Sequence, residues 1–188
     1  MNTHTTNAPA TPHIETTRWR IDPTRSAVDF HVKGFWGMQT IKGRFTRYQG
    51  TLDLTAEPAI ELVIEADSLD TKNNKRDLHL RSPDFFDAER HPYLRFVSDS
   101  AMLAEERLQV RGRLHARGQS MPLDLEATLR RVGDELVVKA VTAADHRELG
   151  ITWNRMGMIR TPSRLMVTGR LVNDAVEAGS DAGKAGNR

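Results

Sequence analysis

The sequence predicts an all-β protein, a meander of about eight antiparallel strands with one short helix and loop insertion around residues 71–87. Three observations carry this. Apolar and polar residues alternate over long stretches, as in Leu108, Val110, Gly112 and Leu114 against Gln109, Arg111, Arg113 and His115. That is the period of a half-buried strand. Turn residues such as Gly118 and Val132-Gly133-Asp134 recur at short intervals between such stretches, as expected for a barrel or sandwich. Only around Thr71 to Asp87 do helix and loop signals replace the alternation.

Residues 1–17 are rich in threonine, contain Pro9 and Pro12 and have no apolar run. They read as a disordered lead. The folded domain is expected over residues 18–172. It opens on Trp19-Arg20-Ile21-Asp22-Pro23, and a strand follows with Val28, Phe30 and Val32 on one face. Gly34 to Gln39 reads as a turn carrying Phe35 and Trp36, two aromatics that fold back on the domain end or meet a partner. The next strand runs from Ile41 to Leu54. Its apolar phase lies on Ile41, Gly43 and Phe45, then switches to Tyr48, Gly50, Leu52 and Leu54. A one-residue slip turns every side chain to the other face, so the switch predicts a bulge or sharp bend. Ile60, Leu62, Ile64 and Ala66 form the next inward face.

The insertion comes next. Asp70, Thr71, Asn73 and Asn74 favour local side-chain to backbone bonds. Asn73 or Asn74 can cap a helix from about Lys75 to Leu80, with Asp77 in its first turn. Pro83 ends it. Phe85 and Phe86, set between Asp84 and Asp87, need a place to be buried. Strands then follow from Tyr93 to Leu103, through Leu108 to Leu114, through Leu123 to Leu129, from Leu136 to Ala144, and through Leu165 to Leu171. Residues 173–188 read as a loose tail.

The run Ser68-Leu69-Asp70-Thr71, Lys75-Arg76-Asp77, His79 to Asp87, His91-Pro92 and Phe96 resembles the signature region of the YceI-like family, also described as polyisoprenoid-binding proteins. Trp19 and Asp22-Pro23 resemble that family's opening, so the likeness covers roughly Trp19 to Val172. It implies a lipocalin-like antiparallel β-barrel with a long apolar cavity for an isoprenoid chain, where alternation alone leaves barrel and sandwich open. It implies a non-enzymatic carrier or sequestering protein for a polyprenyl lipid or isoprenoid quinone, with no other cofactor. Relatives often pair, so the resemblance allows a homodimer. The stretch from Ala144 to Pro162 departs from the family: where relatives carry an Arg, an Asp and then Phe-Gly, this chain has His146-Arg147-Glu148-Leu149-Gly150.

On that reading the cavity candidates are Phe30, Phe45, Leu62, Ile64, Phe85, Phe86, Phe96, Leu114, Leu125 and Trp153. Each could equally be ordinary barrel packing. Arg76 and Arg81 are candidates for a ligand head group, since guanidinium suits phosphate. Their structural alternative, which is favoured, is an ion-pair and capping network with Asp70, Asp77, Asp84 and Asp87.

Other chemistries are weakly supported. Asp77, His79, Asp84, Asp87 and His91 cluster in sequence but lack a recognised ligand spacing, so no metal site is expected. Ser26, Ser68 and Ser82 have no nucleophile-elbow context, and no catalytic residue is assigned. His31, His115 and His146 are expected to be exposed. Arg107, Arg111, Arg113, Arg117, Arg130 and Arg131 make two strands basic without interleaved aromatics, and 27 basic residues are balanced by 25 acidic ones; nucleic acid is therefore not an expected partner. There is no basic start followed by an apolar run, and no stretch of membrane-helix length. The expectation is a cytoplasmic protein without a membrane span. Two rivals remain: a filled barrel acting as an interaction module through Phe35 and Trp36, and an enzyme in which one of the histidines faces inward beside a carboxylate.

Overall fold

The computed structural model describes residues 17–34, 37–151 and 160–174. Both expected tails lie almost wholly outside these residues, as do Phe35, Trp36, Trp153 and Met156. The strands are β1 (Arg18–Ile21), β2 (Ala27–Gly34), β3 (Gln39–Phe45), β4 (Tyr48–Asp53), β5 (Ala59–Glu65), β6 (Leu69–Asp70), β7 (Tyr93–Ala104), β8 (Arg107–Ala116), β9 (Gln119–Val132), β10 (Glu135–Ala144) and β11 (Arg160–Asn173). One α-helix, α1, spans Asn74–Arg81.

Eight strands close an antiparallel ring in the order β1-β4-β5-β7-β8-β9-β10-β11, and β11 returns to β1 with Trp19 opposite Asn173. The fold is thus the barrel, not the sandwich. β11 is long enough to serve two partners on one side. Its end pairs with β1, while its start pairs with β2, where Leu165 stands opposite Phe30. β1 and β2 are one barrel strand broken by a short 3-10 turn over Pro23–Arg25. Asp22 caps that turn by accepting from the Thr24 N–H. Hydrogen bonds from Thr24 and Arg25 hold its carboxyl at about 2, well below the usual range.

β3 and β4 are likewise one strand, interrupted at Thr46 and Arg47, where the apolar phase switches. Beyond the break β3 leaves the ring. It pairs with β2 on one side and with only the two residues of β6 on the other, Phe45 opposite Leu69. The gap this opens is spanned by α1 and the loop that follows. This end, which also carries the β8–β9 turn, is called the upper end below.

Two glycines allow close approach between strands. A Cβ on Gly112 of β8 would overlap the Val97 carbonyl and the Phe96 ring, and one on Gly43 of β3 would overlap the Phe30 ring. Trp19, Leu108, Leu129 and Leu136 at the lower end are at most 1% exposed, as is Leu69 beside the insertion. β7 carries an irregularity between Ser98 and Ser100 that the alternation does not announce. No helix among the described residues is long and apolar enough to cross a membrane.

Candidate functional site: an apolar cavity under the insertion

The barrel is hollow, and Leu108 and Leu129 close the cavity from below. A cavity of about 410 Å³ occupies its interior, within the range typical of small-ligand sites. Alternation in each strand supplies the lining. Phe30 and Val32 come from β2, Ile41 and Phe45 from β3, and Leu62 and Ile64 from β5. Phe96 comes from β7, Leu114 from β8 and Leu125 from β9. Ala140 of β10 and Leu165 and Val167 of β11 continue the wall, and Ile21 of β1 and Leu52 of β4 also line it. Many are only partly buried, among them Val32, Leu62, Leu125 and Leu165, which pack against the core on one side and border the hollow on the other.

The insertion supplies Arg76, His79, Leu80, Phe85 and Phe86. An aromatic chain runs from barrel to insertion. The Phe30 and Phe45 ring centroids are 5.4 Å apart, and Phe86 meets Phe45 edge-on at 6.1 Å. Phe85 meets His79 edge-on at 5.0 Å. Such pairs add about 0.5–1.5 kcal/mol each beyond area burial. Of the ten sequence candidates, nine therefore line one cavity, and Trp153 lies outside the described residues.

The insertion is held by local hydrogen bonds. Asn73 caps α1 by accepting from the Arg76 N–H at 3.0 Å. Asp77 is buried and accepts from both the N–H and the hydroxyl of Thr71. Ser82 donates to the His79 carbonyl at 2.7 Å. From across the barrel end, Arg117 in the β8–β9 turn donates to the Pro83 carbonyl at 3.0 Å and to the Phe85 carbonyl. The short segment between β6 and β7 is thus tied down on both sides.

The two arginines behave differently from an ion-pair network. Arg76 lines the cavity, but its Nε donates to the Thr71 hydroxyl at 2.7 Å and one Nη to the Thr71 carbonyl at 2.8 Å. Arg81 stands outside the lining, and its Nη2 donates to the Leu69 carbonyl at 2.6 Å. The carboxylates expected to pair with them go elsewhere: Asp70 to Lys72 at 2.6 Å and Asp84 to His79 at 3.0 Å. The two guanidinium groups thus satisfy backbone carbonyls at and just after β6 rather than carboxylates.

The expectation of exposed histidines fails at His146. It opens a 3-10 turn over His146–Leu149 and lines the cavity, with Nδ1 3.2 Å from the hydroxyl of Ser163, which also lines it. Burial pushes its imidazole below the ordinary range, Asp145 opposing and Arg147 adding to the effect. Sequence reasoning missed this pair because the residues are 17 apart and meet only through the β10–β11 register, which sets Ala144 opposite Ser163. No group of three metal-ligating side chains comes together among the described residues.

A single closed antiparallel barrel, hollow above a packed floor and covered by a helix insertion, defines a lipocalin-like class of small barrel proteins. The chain belongs to the YceI-like family, whose domain model matches residues 19–177. It is 31% identical over 112 residues to protein YceI of Escherichia coli O6:H1 and 30% identical over the same length to that of Salmonella arizonae. Each match takes in 57% of this chain and 58% of the relative. The fold is close to that of Burkholderia cenocepacia BcnA, with a TM-score of 0.73 at 16% identity, covering 80% of this chain and 98% of that one. It is also close to a polyisoprenoid binding domain from Saccharophagus degradans, with a TM-score of 0.69 at 15% identity over 85% of this chain and 99% of that one.

Proposed function

We propose that the chain binds a long-chain isoprenoid amphiphile, its tail in the barrel cavity, and carries or sequesters it without chemical change. The cavity carries this reading: about 410 Å³ bounded almost wholly by aliphatic and aromatic side chains, in a family that includes a polyisoprenoid binding domain among its structural neighbours. Burial contributes at most about 0.8 kcal/mol per carbon, roughly 4 kcal/mol per isoprene unit. Association costs about 4–15 kcal/mol, so roughly one to four buried units offset it without directional chemistry.

The hollow interior speaks against a filled barrel serving only as an interaction module. The enzyme reading draws on His146 and Ser163, but the neighbouring carboxylate of Asp145 is committed to Arg147, whose hydrogen bond holds it at about 2. Among the described residues no third group then orients the imidazole as a triad requires. The test is organic-solvent extraction of protein purified from its native host, followed by mass spectrometry. A stoichiometric isoprenoid species is the expected result. An extract without one, together with failure of the purified chain to take up isoprenoid tails in solution, overturns the reading.

A further inference from the structure

We propose that His146 and Ser163 form the polar anchor of the cavity, and that the pair selects a tail carrying a neutral hydrogen-bond acceptor, a carbonyl above all, over one carrying an anion. The inference rests on the cavity-binding reading above and adds the chemistry of the head group. It also moves the anchor away from the two arginines that sequence alone brings forward.

The pair is built, not incidental. Ser163 sits on β11 and is 8% exposed. His146 follows the end of β10 by two residues. Its turn is fixed at the start by Asp145, which accepts from the Arg147 N–H at 3.0 Å, and at the end by Gly150 in the left-handed conformation, φ 70°. Buried Leu149 and Ile151 pin the turn to the barrel.

Proton bookkeeping then assigns the direction of each bond. The buried Ser163 hydroxyl carries a proton that needs an acceptor. Among the described residues the acceptor it meets is His146 Nδ1, at 3.2 Å. With Nδ1 accepting, a neutral imidazole carries its proton on Nε2. Nε2 has no partner among the described residues, yet it is not among the buried atoms sealed without one. Among the described residues it is an unpaired donor, on a residue that lines an apolar cavity. A carbonyl oxygen satisfies it. An anion gains little there, because neither a neutral imidazole nor a hydroxyl offsets the cost of removing a full charge from water. Arg76 is the cation in the lining, and Thr71 already takes its Nε and one Nη.

The test uses the full chain stripped of lipid and three probes that share a geranylgeranyl tail: a quinone, a phosphate monoester and the headless hydrocarbon. Affinities are read by displacement of a fluorescent apolar dye. The quinone is expected to bind roughly five- to tenfold tighter than the hydrocarbon, the worth of one buried hydrogen bond, and tighter than the phosphate. In His146→Phe and in Ser163→Ala the quinone-to-hydrocarbon ratio should fall to about 1. Using two variants guards against one that fails to fold. A phosphate that outbinds the quinone, or a quinone preference that survives both variants, overturns the anchor while leaving tail binding intact. Failure of all three probes to bind overturns the cavity reading and the anchor together.

Discussion

The two ends of the barrel share the same alternating strands, yet one is closed by the strands' own side chains and the other by an insertion, with a single cavity between them. At the lower end Trp19, Leu108, Leu129 and Leu136 are fully enclosed, on strands that all belong to the closed ring. In the upper half β3 has left the ring and keeps only β6 on its free side. Inward residues around the cavity such as Val32, Leu62, Leu125 and Leu165 are half-buried. The gap is roofed by α1 and by Phe85 and Phe86 rather than by strand. A period of two specifies which face a residue takes. Whether that face meets another depends on how far apart the walls stand.

Four experiments sharpen this contrast, taken from the largest effect to the smallest. Leu129→Ala, at a fully enclosed residue that borders the cavity from below, should cost about 2–5 kcal/mol in urea unfolding, since it removes a buried side chain. Leu125→Glu, on the same strand but facing the hollow, should leave the far-ultraviolet circular dichroism spectrum of a folded barrel. It should weaken uptake of an isoprenoid tail at least about a hundredfold, because a carboxylate resists transfer into an apolar space. Equal unfolding penalties at the two positions would mean that Leu125 is as enclosed as Leu129.

Gly43→Ala tests the join between the halves. The new methyl overlaps the Phe30 ring, and Phe30 lines the cavity and packs on Phe45. Overpacking of this kind costs about 1–3 kcal/mol. The displaced ring should narrow the hollow, so longer or bulkier tails lose affinity first in a series of probes. An unchanged tail-length preference would place Phe30 outside the part of the cavity that binds.

The smallest effect is a pH dependence carried by His146. Its folded imidazole titrates below the ordinary value near 6.5 because burial disfavours the charged form. The unfolded chain therefore takes up the proton first as pH falls. Stability is full above about pH 6.5 and declines as pH drops through that value toward the folded pKa. Urea midpoints measured between pH 7.5 and about pH 5 should fall more steeply in the wild type than in His146→Phe. Parallel curves for the two proteins would show that His146 is solvated.

Local rules reach a definite depth into this molecule. Alternation predicts the strand faces, the phase change between Phe45 and Tyr48 marks the break at Thr46 and Arg47, and Asn73 caps α1 as its side chain predicts. Those outcomes depend on neighbours within a few residues, so the order of residues alone determines them. The same holds for the inward set that includes Phe30, Leu62 and Leu114, since strand period decides their direction.

Tertiary structure decided the rest. The hollow depends on where β3 parts from the ring, a matter of pairing between distant strands. Arg76 and Arg81 turn to Thr71 and Leu69 instead of the nearby carboxylates, because unsatisfied backbone groups outcompete exposed ion pairs once the loop is folded. His146 and Ser163 meet because β10 and β11 pair in one register and no other. Sequence determines which side chains face inward; only the assembled barrel determines which of them find a neighbour and which are left facing an open space.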